Sequence, residues 1–298
     1  MNTLPGAFQG GLCKAFCEAW VKSPIKQIKI LQRCHPMLAR TLKGLLFAST
    51  VAATALLCPT AAQADDLQTI QQAREIRIAM SGQYSPFSFA NEQNQIVGFD
   101  ASISEALAER LGVKVTIITT PFDGIIAGLL AKKYDAIIAS MTITPERLRA
   151  VDFAGPYYHA GRTIVVKDGS AIHSLDQLKD VTVGVTLGDA HDKWARARGN
   201  LKVKTYKGLP EMLVDLEAGR IDAIVMDSVP VLVAVKETGQ KVRIITPPDS
   251  DGGIEGMGIA LRKNNPELKA ALQKALDNML ADGSYEKISM QWIGKDIR

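Results

Sequence analysis

Cysteine is confined to the start of the chain. All four cysteines of the 298-residue sequence, Cys13, Cys17, Cys34 and Cys58, precede residue 65. The remaining 234 residues can form neither a disulfide nor a thiolate metal site, and such a chain suits an oxidising compartment because it has nothing to misoxidise. The spacing of the first three cysteines and His35 matches no strong zinc pattern. We therefore expect neither a metal nor a cofactor.

An excess of positive charge is also missing from most of the chain. Of 35 basic residues, seven lie in the first 64 positions, where Glu18 is one of the 31 acidic residues. The rest of the chain has 28 basic and 30 acidic residues, a net charge of −2, although the whole sequence carries +4. Nucleic-acid binding therefore has no compositional support, and we expect no nucleic-acid partner.

Residues 37–64 have the three-part pattern of a secretory signal peptide. Arg40 and Lys43 supply positive charge, and the apolar run 44–58 is too short to span a bilayer comfortably. The tripeptide that ends at Ala64 fits the small-residue pattern of a cleavage site. We predict cleavage after Ala64 and a periplasmic mature protein.

Residues 1–36 are unexpected, because a signal peptide normally begins within a few residues of the chain start. We interpret this segment as a start-site misassignment, with Met37 as the true initiator. A membrane anchor and lipid attachment at Cys58 are alternatives to cleavage. The short apolar run argues against the first, and the neighbours Leu57 and Pro59 argue against the second.

A predicted strand leads into a turn rich in donors. The apolar run 136–139 is followed by Ser140 and Thr142, and Pro145 suits the first position of a helix. Arg147 lies one turn into that helix. Backbone N–H groups, hydroxyls and a guanidinium thus converge, and a guanidinium presents two parallel donors to a carboxylate. The pattern favours a carboxylate pocket; a surface turn with a solvated arginine is the alternative.

Two halves of the chain repeat one pattern. Asp135 and Asp222, 87 residues apart, each follow a predicted helix and begin an Asp-Ala-Ile run. Alternating strands and helices predict parallel α/β sheets, so we expect two small α/β lobes. Ligands of such sheets bind beyond the carboxyl ends of the strands. The repeat places Ser140 and Asp227 at equivalent ends, so that one lobe offers an arginine and the other a carboxylate, as a zwitterion requires.

The chain must return to its first half after the second. We expect crossings near 159–163 and 247–256, a helix that Asn265 caps, and a last short helix over 285–292. The predicted divisions are 1–36, the signal peptide 37–64, lobe 1 at 65–160 plus 255–298, and lobe 2 at 161–254.

These motifs together resemble those of the polar amino-acid binding proteins of family 3, which serve ABC importers in bacterial periplasms. The most specific is SMTITPERLRAVDFAGPYY (140–158); RIAMSGQYSPFSF (77–89), VGVTLGD (183–189) and IVMDS (224–228) add to it. The similarity covers residues 70–293. It implies the two-lobed type II periplasmic-binding-protein fold, an α/β fold with two crossover strands as a hinge.

The resemblance also implies roles for particular residues. Arg147 would hold the α-carboxylate of a ligand with the help of Thr142, and Asp227 would take the α-ammonium with Ser140 contributing. Tyr84 and Phe122 would be aromatic walls, or ordinary core residues. We predict no catalytic residue. The predicted ligand-binding residues are Ser81, Tyr84, Phe122, Ser140, Met141, Thr142, Arg147, Gly188, Asp189, Ala190 and Asp227.

Two departures from the family pattern bear on the ligand. Members for cationic side chains often carry Asp where this chain has Ser81, which argues against lysine or arginine. A loop usually rich in Thr and Ser reads Asp189-Ala190-His191 here. Asp189 would repel a ligand carboxylate unless it caps the next helix or faces a cationic side chain; we favour capping.

The resemblance implies a monomer that binds a free amino acid, or a close derivative, and delivers it to an ABC permease in the inner membrane. The alternative is a periplasmic enzyme on the same scaffold, similar to cyclohexadienyl or arogenate dehydratases, for which Asp189 and His191 are available acid–base groups. A sensor module is usually fused to a membrane segment and a signalling domain, although it can also act through a separate receptor, and a cell-wall lyase would need a further catalytic domain; we favour neither.

Overall fold

The computed structural model describes residues 65–247 and 255–298. The predicted segments 1–36 and 37–64 lie outside these residues, as does most of the predicted second crossing. Within the described residues, no helix combines the length and the hydrophobicity needed to cross a membrane.

Strands and helices alternate along the described chain. The strands are β1 (Glu75–Met80), β2 (Gln83–Tyr84), β3 (Ser88–Ala90), β4 (Ile96–Val97), β5 (Lys114–Thr119), β6 (Ala136–Thr142), β7 (Val151–Ala160), β8 (Arg162–Lys167), β9 (Thr182–Thr186), β10 (Lys202–Tyr206), β11 (Ala223–Asp227), β12 (Val242–Ile245) and β13 (Glu255–Arg262). The helices are α1 (Asp66–Ala73), α2 (Phe99–Leu111), α3 (Ile125–Leu130), α4 (Pro145–Ala150), α5 (Ala190–Ala197), α6 (Leu209–Glu217), α7 (Ser228–Thr238), α8 (Pro266–Ala281) and α9 (Ser284–Ile293).

The strands form two five-stranded sheets of the same design. The first has the order β5-β1-β6-β13-β7 and the second β10-β9-β11-β8-β12. In each, three parallel strands are followed by an antiparallel neighbour: β13 beside β6, and β8 beside β11. We call the first sheet with α1–α4, α8, α9 and the small β2-β3-β4 sheet lobe 1, and the second sheet with α5–α7 lobe 2. The predicted two-lobed α/β architecture is confirmed.

The repeated aspartates fasten equivalent strands. Asp135 accepts a hydrogen bond from Arg77 N at 3.0 Å, and Asp222 accepts one from Thr182 N at 2.7 Å. In the other direction, Asp135 N donates to Arg77 O and Asp222 N donates to Thr182 O, both at 2.8 Å. The two halves of the sequence therefore repeat in space as well.

Both faces of the lobe 2 sheet are buried. On β8, Ile164 and Val166 pack into one apolar cluster and Val165 into another on the opposite face. Because successive strand residues point to opposite faces, a sheet covered by helices on both sides needs apolar residues at consecutive positions. The continuous apolar runs of the sequence have this cause.

Two predicted helix ends have different outcomes. Gly112 adopts the expected left-handed conformation after α2, with φ 71°. The prediction that Asn265 caps α8 is wrong: Asp65 accepts hydrogen bonds from Glu267 N at 2.8 Å and Leu268 N at 3.1 Å. Asn265 instead accepts from Asp66 N at 2.7 Å. A residue about 200 positions away thus replaces the local cap.

The first crossing lies where it was expected. β7 ends at Ala160 in the first sheet, and β8 begins at Arg162 in the second. The return joins β12, which ends at Ile245, to β13, which begins at Glu255 beside β7. Glu255 at the start of β13 pairs with Ala160 at the end of β7, so the chain re-enters lobe 1 beside the first crossing.

Candidate functional site

A cavity of about 30 Å³ lies between the strand ends of the two lobes, with room for about two water molecules. Nine of the eleven predicted binding residues line it, and Met141 and Gly188 do not. Its lining consists of Ser81, Gln83, Tyr84, Phe122, Ala139, Ser140, Thr142, Arg147, Thr186, Asp189, Ala190, His191, Lys207 and Asp227.

Helix α4 carries Arg147 into the cavity. Thr144 caps the helix by accepting from Arg147 N, and Pro145 begins it, as predicted. The guanidinium, which is only 5 % exposed, donates to Thr142 O at 2.8 Å and to Gly188 O of lobe 2 at 3.4 Å. It also lies 5.5 Å from the centre of the Phe122 ring. Gly188 thus contacts Arg147 through its carbonyl although it does not line the cavity.

Arg147 forms no ion pair within the part of the chain that the structure describes. Burial lowers its pKa, although the carboxylates of Asp189 and Glu146 oppose that shift. A guanidinium titrates far above neutral pH, so the group stays cationic. Because a buried charge without a counter-ion is costly, the site is electrostatically prepared for an anion.

Asp227 supplies a carboxylate at the end of β11. Its Oδ1 lies 3.1 Å from His191 Nε2, and its Oδ2 accepts from the Tyr84 hydroxyl of lobe 1 at 2.6 Å. Burial would raise the pKa of Asp227, but His191 and the two hydrogen bonds outweigh burial and lower it. Each carboxylate oxygen can accept a second hydrogen bond. Asp227 can therefore accept an ammonium group as well.

His191 links Asp227 to Arg162 through hydrogen bonds of its two ring nitrogens. Its Nδ1 accepts from Arg162 Nε at 3.3 Å, and the Arg162 guanidinium lies 4.6 Å from the centre of the Trp194 ring. These partners assign the Nε2–H tautomer, which donates to Asp227. Burial lowers the pKa of His191, but the charge and hydrogen bond of Asp227 raise it more.

Asp189 both caps a helix and lines the cavity. Its Oδ1 accepts from Asp192 N at 2.7 Å, so the predicted capping of α5 is confirmed. Burial raises the pKa of Asp189 to about 6, against the opposing effect of His191. Burial thus favours the neutral acid, and the Asp189 carboxylate, where it is ionised, raises the pKa of Arg147.

Ser140 is tied to a buried network in lobe 1. Its hydroxyl donates to Asp100 Oδ2 at 2.9 Å, and its N–H donates to the Tyr157 hydroxyl at 2.9 Å. Tyr157 in turn donates to Asp100 Oδ1 at 2.7 Å. Ser140 has φ 52°, a left-handed conformation that these bonds hold. The Ser140 oxygen can still accept a hydrogen bond from a ligand.

The aromatic residues line the cavity as expected, but Met141 does not. The Tyr84 ring stacks on Phe87 with centres 5.6 Å apart, and Phe122 is half-buried. Met141 is fully buried in the core of lobe 1. Since side chains alternate along a strand, the position between Ser140 and Thr142 must face the opposite side of β6.

Five cavity residues were not in the predicted set: Gln83, Ala139, Thr186, His191 and Lys207. Only His191 carried a usable signal. With Asp189 as the cap of α5, a residue in the first turn of that helix lies near the strand ends. Within 65–247 and 255–298, no cluster of three His, Cys, Asp or Glu residues could hold a metal ion.

Known proteins have similar sequences. Residues 76–295 match the family described as bacterial extracellular solute-binding proteins, family 3. The chain is 34 % identical over 234 residues to the L-cystine-binding protein TcyJ of Escherichia coli K12, covering 78 % of this chain and 87 % of that protein. It is 35 % identical over 251 residues to an L-arginine-binding protein of Pseudomonas aeruginosa, covering 82 % and 97 %.

A solved structure adds the fold. An ancestral amino acid-binding protein, described as a precursor of cyclohexadienyl dehydratase, is similar with a TM-score of 0.71 and 36 % identity, covering 76 % of this chain and 99 % of that one. The two α/β sheets thus form the two-lobed type II arrangement that the sequence motifs implied. The chain belongs to the bacterial extracellular solute-binding proteins of family 3.

Proposed function

We propose that this protein binds a free amino acid, or a close derivative, between its lobes in the periplasm and delivers it to an ABC permease of the inner membrane. One observation carries the proposal: the buried Arg147 guanidinium on lobe 1, which has no ion-pair partner among the described residues, lines the same cavity as the anionic Asp227 carboxylate on lobe 2. A carboxylate at Arg147 and an ammonium at Asp227 together define a zwitterion. Relatives named for L-cystine and L-arginine support an amino-acid ligand.

Binding requires that the cleft rearrange. The inner cavity has room for only about two water molecules, and the Tyr84 hydroxyl already contacts Asp227. The lobes also meet through the ion pair of Lys193 with Glu146 at 2.6 Å. The ligand enters when the hinge opens, and closure is favoured because the ligand contacts both lobes only in the closed state.

The remaining parts of the proposal follow from the same arrangement. One chain supplies every residue of the site, which supports a monomer. Lobe 1 comprises 65–160 and 255–298, and lobe 2 comprises 161–254. The leader 37–64 directs export and is removed after Ala64.

Calorimetry on the mature protein tests the proposal. A thermal-shift screen first identifies the amino acids that stabilise the fold, because ligand binding raises the apparent melting temperature. Arg147→Ala should then weaken binding by about 2–5 kcal/mol, as expected when one partner of a buried charge pair is lost. Arg149→Ala, an exposed change in the same helix, is the control. Equal affinities in wild type and Arg147→Ala would show that the site is misassigned.

An enzymatic function is the second candidate. Asp189, whose pKa burial raises to about 6, lines the cavity beside the His191–Asp227 pair, and one structural neighbour is described as a precursor of cyclohexadienyl dehydratase. A group with a pKa near the working pH suits general acid catalysis. Incubation with cyclohexadienyl acids and detection of an aromatic product by ultraviolet absorbance would test it. Turnover that Asp189→Asn abolishes would favour the enzyme, whereas tight amino-acid binding without turnover favours transport.

A further inference from the structure

A second, larger cavity continues outward from the first. This outer chamber has a volume of about 610 Å³. It shares Ser81, Gln83, Phe122, Thr186 and Lys207 with the inner cavity, so the two spaces adjoin each other. A ligand held by Arg147 and Asp227 can therefore extend into the outer chamber past Phe122.

The outer chamber presents opposite charges from opposite lobes. Lys207, from lobe 2, forms no ion pair with a carboxylate in the described chain. Asp123, from lobe 1, forms no ion pair with a cation there either. Glu211 also lines the chamber, and one of its oxygens accepts from Lys207 N at 3.3 Å. The chamber thus offers a cation for a carboxylate and two acids for an ammonium, the same pair of charges as the inner site.

Four of the five residues that line both cavities are uncharged, and the fifth is Lys207. Ser81 and Phe122 line both cavities, and Thr119 and Thr120 continue the polar, uncharged surface of the outer one. A cationic side chain that ended beside Ser81 would meet no carboxylate there. An uncharged linker that passes Ser81 and Phe122 and carries its charges farther out suits this distribution.

We infer that the outer chamber is a subsite for a second amino-acid head group, so that the preferred ligand is a linear bis-amino acid. Lys207 binds its distal carboxylate, and Asp123 and Glu211 bind its distal ammonium. The first head group lies at Arg147 and Asp227, so this inference rests on the proposed function. Closure of the hinge brings Asp123 and Lys207 to the two ends of the distal group, because they belong to different lobes.

Calorimetry with matched ligands tests the inference. L-cystathionine and L-cystine carry two head groups, whereas S-methyl-L-cysteine and L-methionine share their proximal half and carry one. The wild-type protein should bind the two-headed ligands about threefold to tenfold more tightly, since Lys207, Asp123 and Glu211 are solvent-exposed and ion pairs at exposed sites each contribute little. Lys207→Gln should weaken the two-headed ligands more than the single-headed ones, although Lys207 also lines the inner cavity. Asp123→Asn should do the same from the other lobe.

Charge-matched controls separate contact from long-range attraction. Lys202→Gln removes the same charge from the same strand region, and Glu105→Gln removes an exposed acid from lobe 1; neither residue lines the chamber. Both should bind all four ligands as wild type does. If they mimic the chamber variants, or if Lys207→Gln weakens one-headed and two-headed ligands equally, the distal subsite does not exist.

The same measurements distinguish a failure of the distal subsite from a failure of the proposed function. If single-headed amino acids bind in an Arg147-dependent manner but two-headed ligands bind no more tightly, the distal subsite fails and the proposed function stands. If no amino acid binds, or binding ignores Arg147→Ala, the proposed function fails and the subsite fails with it.

Discussion

Lobe 1 and lobe 2 each direct the end of a central strand into the cleft, and each pairs a buried carboxylate with a tyrosine hydroxyl. In lobe 1, Asp100 accepts from Tyr157 and does not line the cavity. In lobe 2, Asp227 accepts from Tyr84 and does line it. The acid of lobe 1 holds a backbone turn, whereas the acid of lobe 2 is exposed to a ligand. Asp100 belongs to α2 and Asp227 ends β11, so the two acids occupy different positions of the repeated scaffold and have different functions.

The consequence is an electrostatic division of labour. Lobe 1 presents a cation because Arg147 lies on the short helix α4 after the strand, and lobe 2 presents an anion because Asp227 ends the strand itself. Each lobe alone offers half of a zwitterion site. Removing either charge should therefore affect affinity far more than folding.

The largest expected effect comes from Asp227→Asn. The amide can still accept from His191, so the fold should remain, but the ammonium loses its counter-ion at a cost of about 2–5 kcal/mol in binding. Calorimetry with the best amino acid from the screen and with its deaminated analogue measures this. In wild type, deamination should weaken binding strongly; in Asp227→Asn it should add little.

Asp176→Asn, an exposed change in lobe 2, controls for net charge. An undiminished effect of deamination in the Asp227 variant would place the ammonium elsewhere and break the contrast between the two acids.

Asp100, the buried acid of lobe 1, should make the free energy of unfolding depend on pH. Burial raises the pKa of Asp100 to about 6 from 3.8, although Tyr157 and Ser140 oppose the shift. The folded state therefore holds more protons than the unfolded state between about pH 4 and 6, so this group lowers the free energy of unfolding as pH rises through that window. At 1.36 kcal/mol per pKa unit, the loss approaches about 3 kcal/mol.

Denaturant unfolding at pH 4, 5, 6 and 7 measures this contribution as the difference in the free energy of unfolding between wild type and Asp100→Asn. The difference should change between pH 4 and 6 and stay constant above. Asp189 titrates in the same range, so Asp189→Asn is the comparison that separates the two carboxyls. A difference that does not vary with pH would mean that Asp100 is ionised throughout.

Closure of the lobes on each other should depend on Gly208. An added Cβ there would lie 2.6 Å from Gln83 O, a backbone atom of the opposite lobe. Gly208 has φ −168°, so Ala can adopt its backbone conformation and the clash acts across the cleft. Gly208→Ala should weaken ligand binding by about 1–3 kcal/mol, in the range of overpacked contacts.

The melting temperature of ligand-free Gly208→Ala should stay near that of wild type, because an open cleft has no clash. Gly124→Ala is the matched control, since an added Cβ at Gly124 meets nothing within 4 Å. Small-angle scattering with saturating ligand should report a larger radius of gyration for the Gly208 variant alone.

The sequence was most informative where an interaction is local or repeated. Arg147 and Asp227 were predicted because a strand–turn–helix motif and an 87-residue repeat place them at strand ends. Asn265 was a wrong cap because Asp65, far away in the chain, fits the same helix end. Met141 does not line the cavity because side chains alternate along β6, so this position faces the core of lobe 1.

The residues that the sequence did not reveal are those whose position depends on closure. Gln83 and Lys207 belong to different lobes and line one cavity only because the lobes meet. No local pattern determines which surface residues of two separate sheets will face each other. Tertiary docking sets that part of the site, so sequence periodicity cannot report it.

The smallest expected effect concerns the two repeated aspartates, whose contributions to stability should differ between the lobes. Asp135 and Asp222 make the same backbone exchange, but Asp135 also pairs with Arg77 at 2.8 Å and lies 3.5 Å from Arg262. Asp222 is exposed and has no such cation in the described chain. Asp135→Asn should therefore lower the free energy of unfolding by about 1–3 kcal/mol, and Asp222→Asn by about 1 kcal/mol or less. Guanidinium unfolding of both variants at one pH measures the difference; equal losses would mean that the backbone exchange, and not the ion pair, stabilises lobe 1.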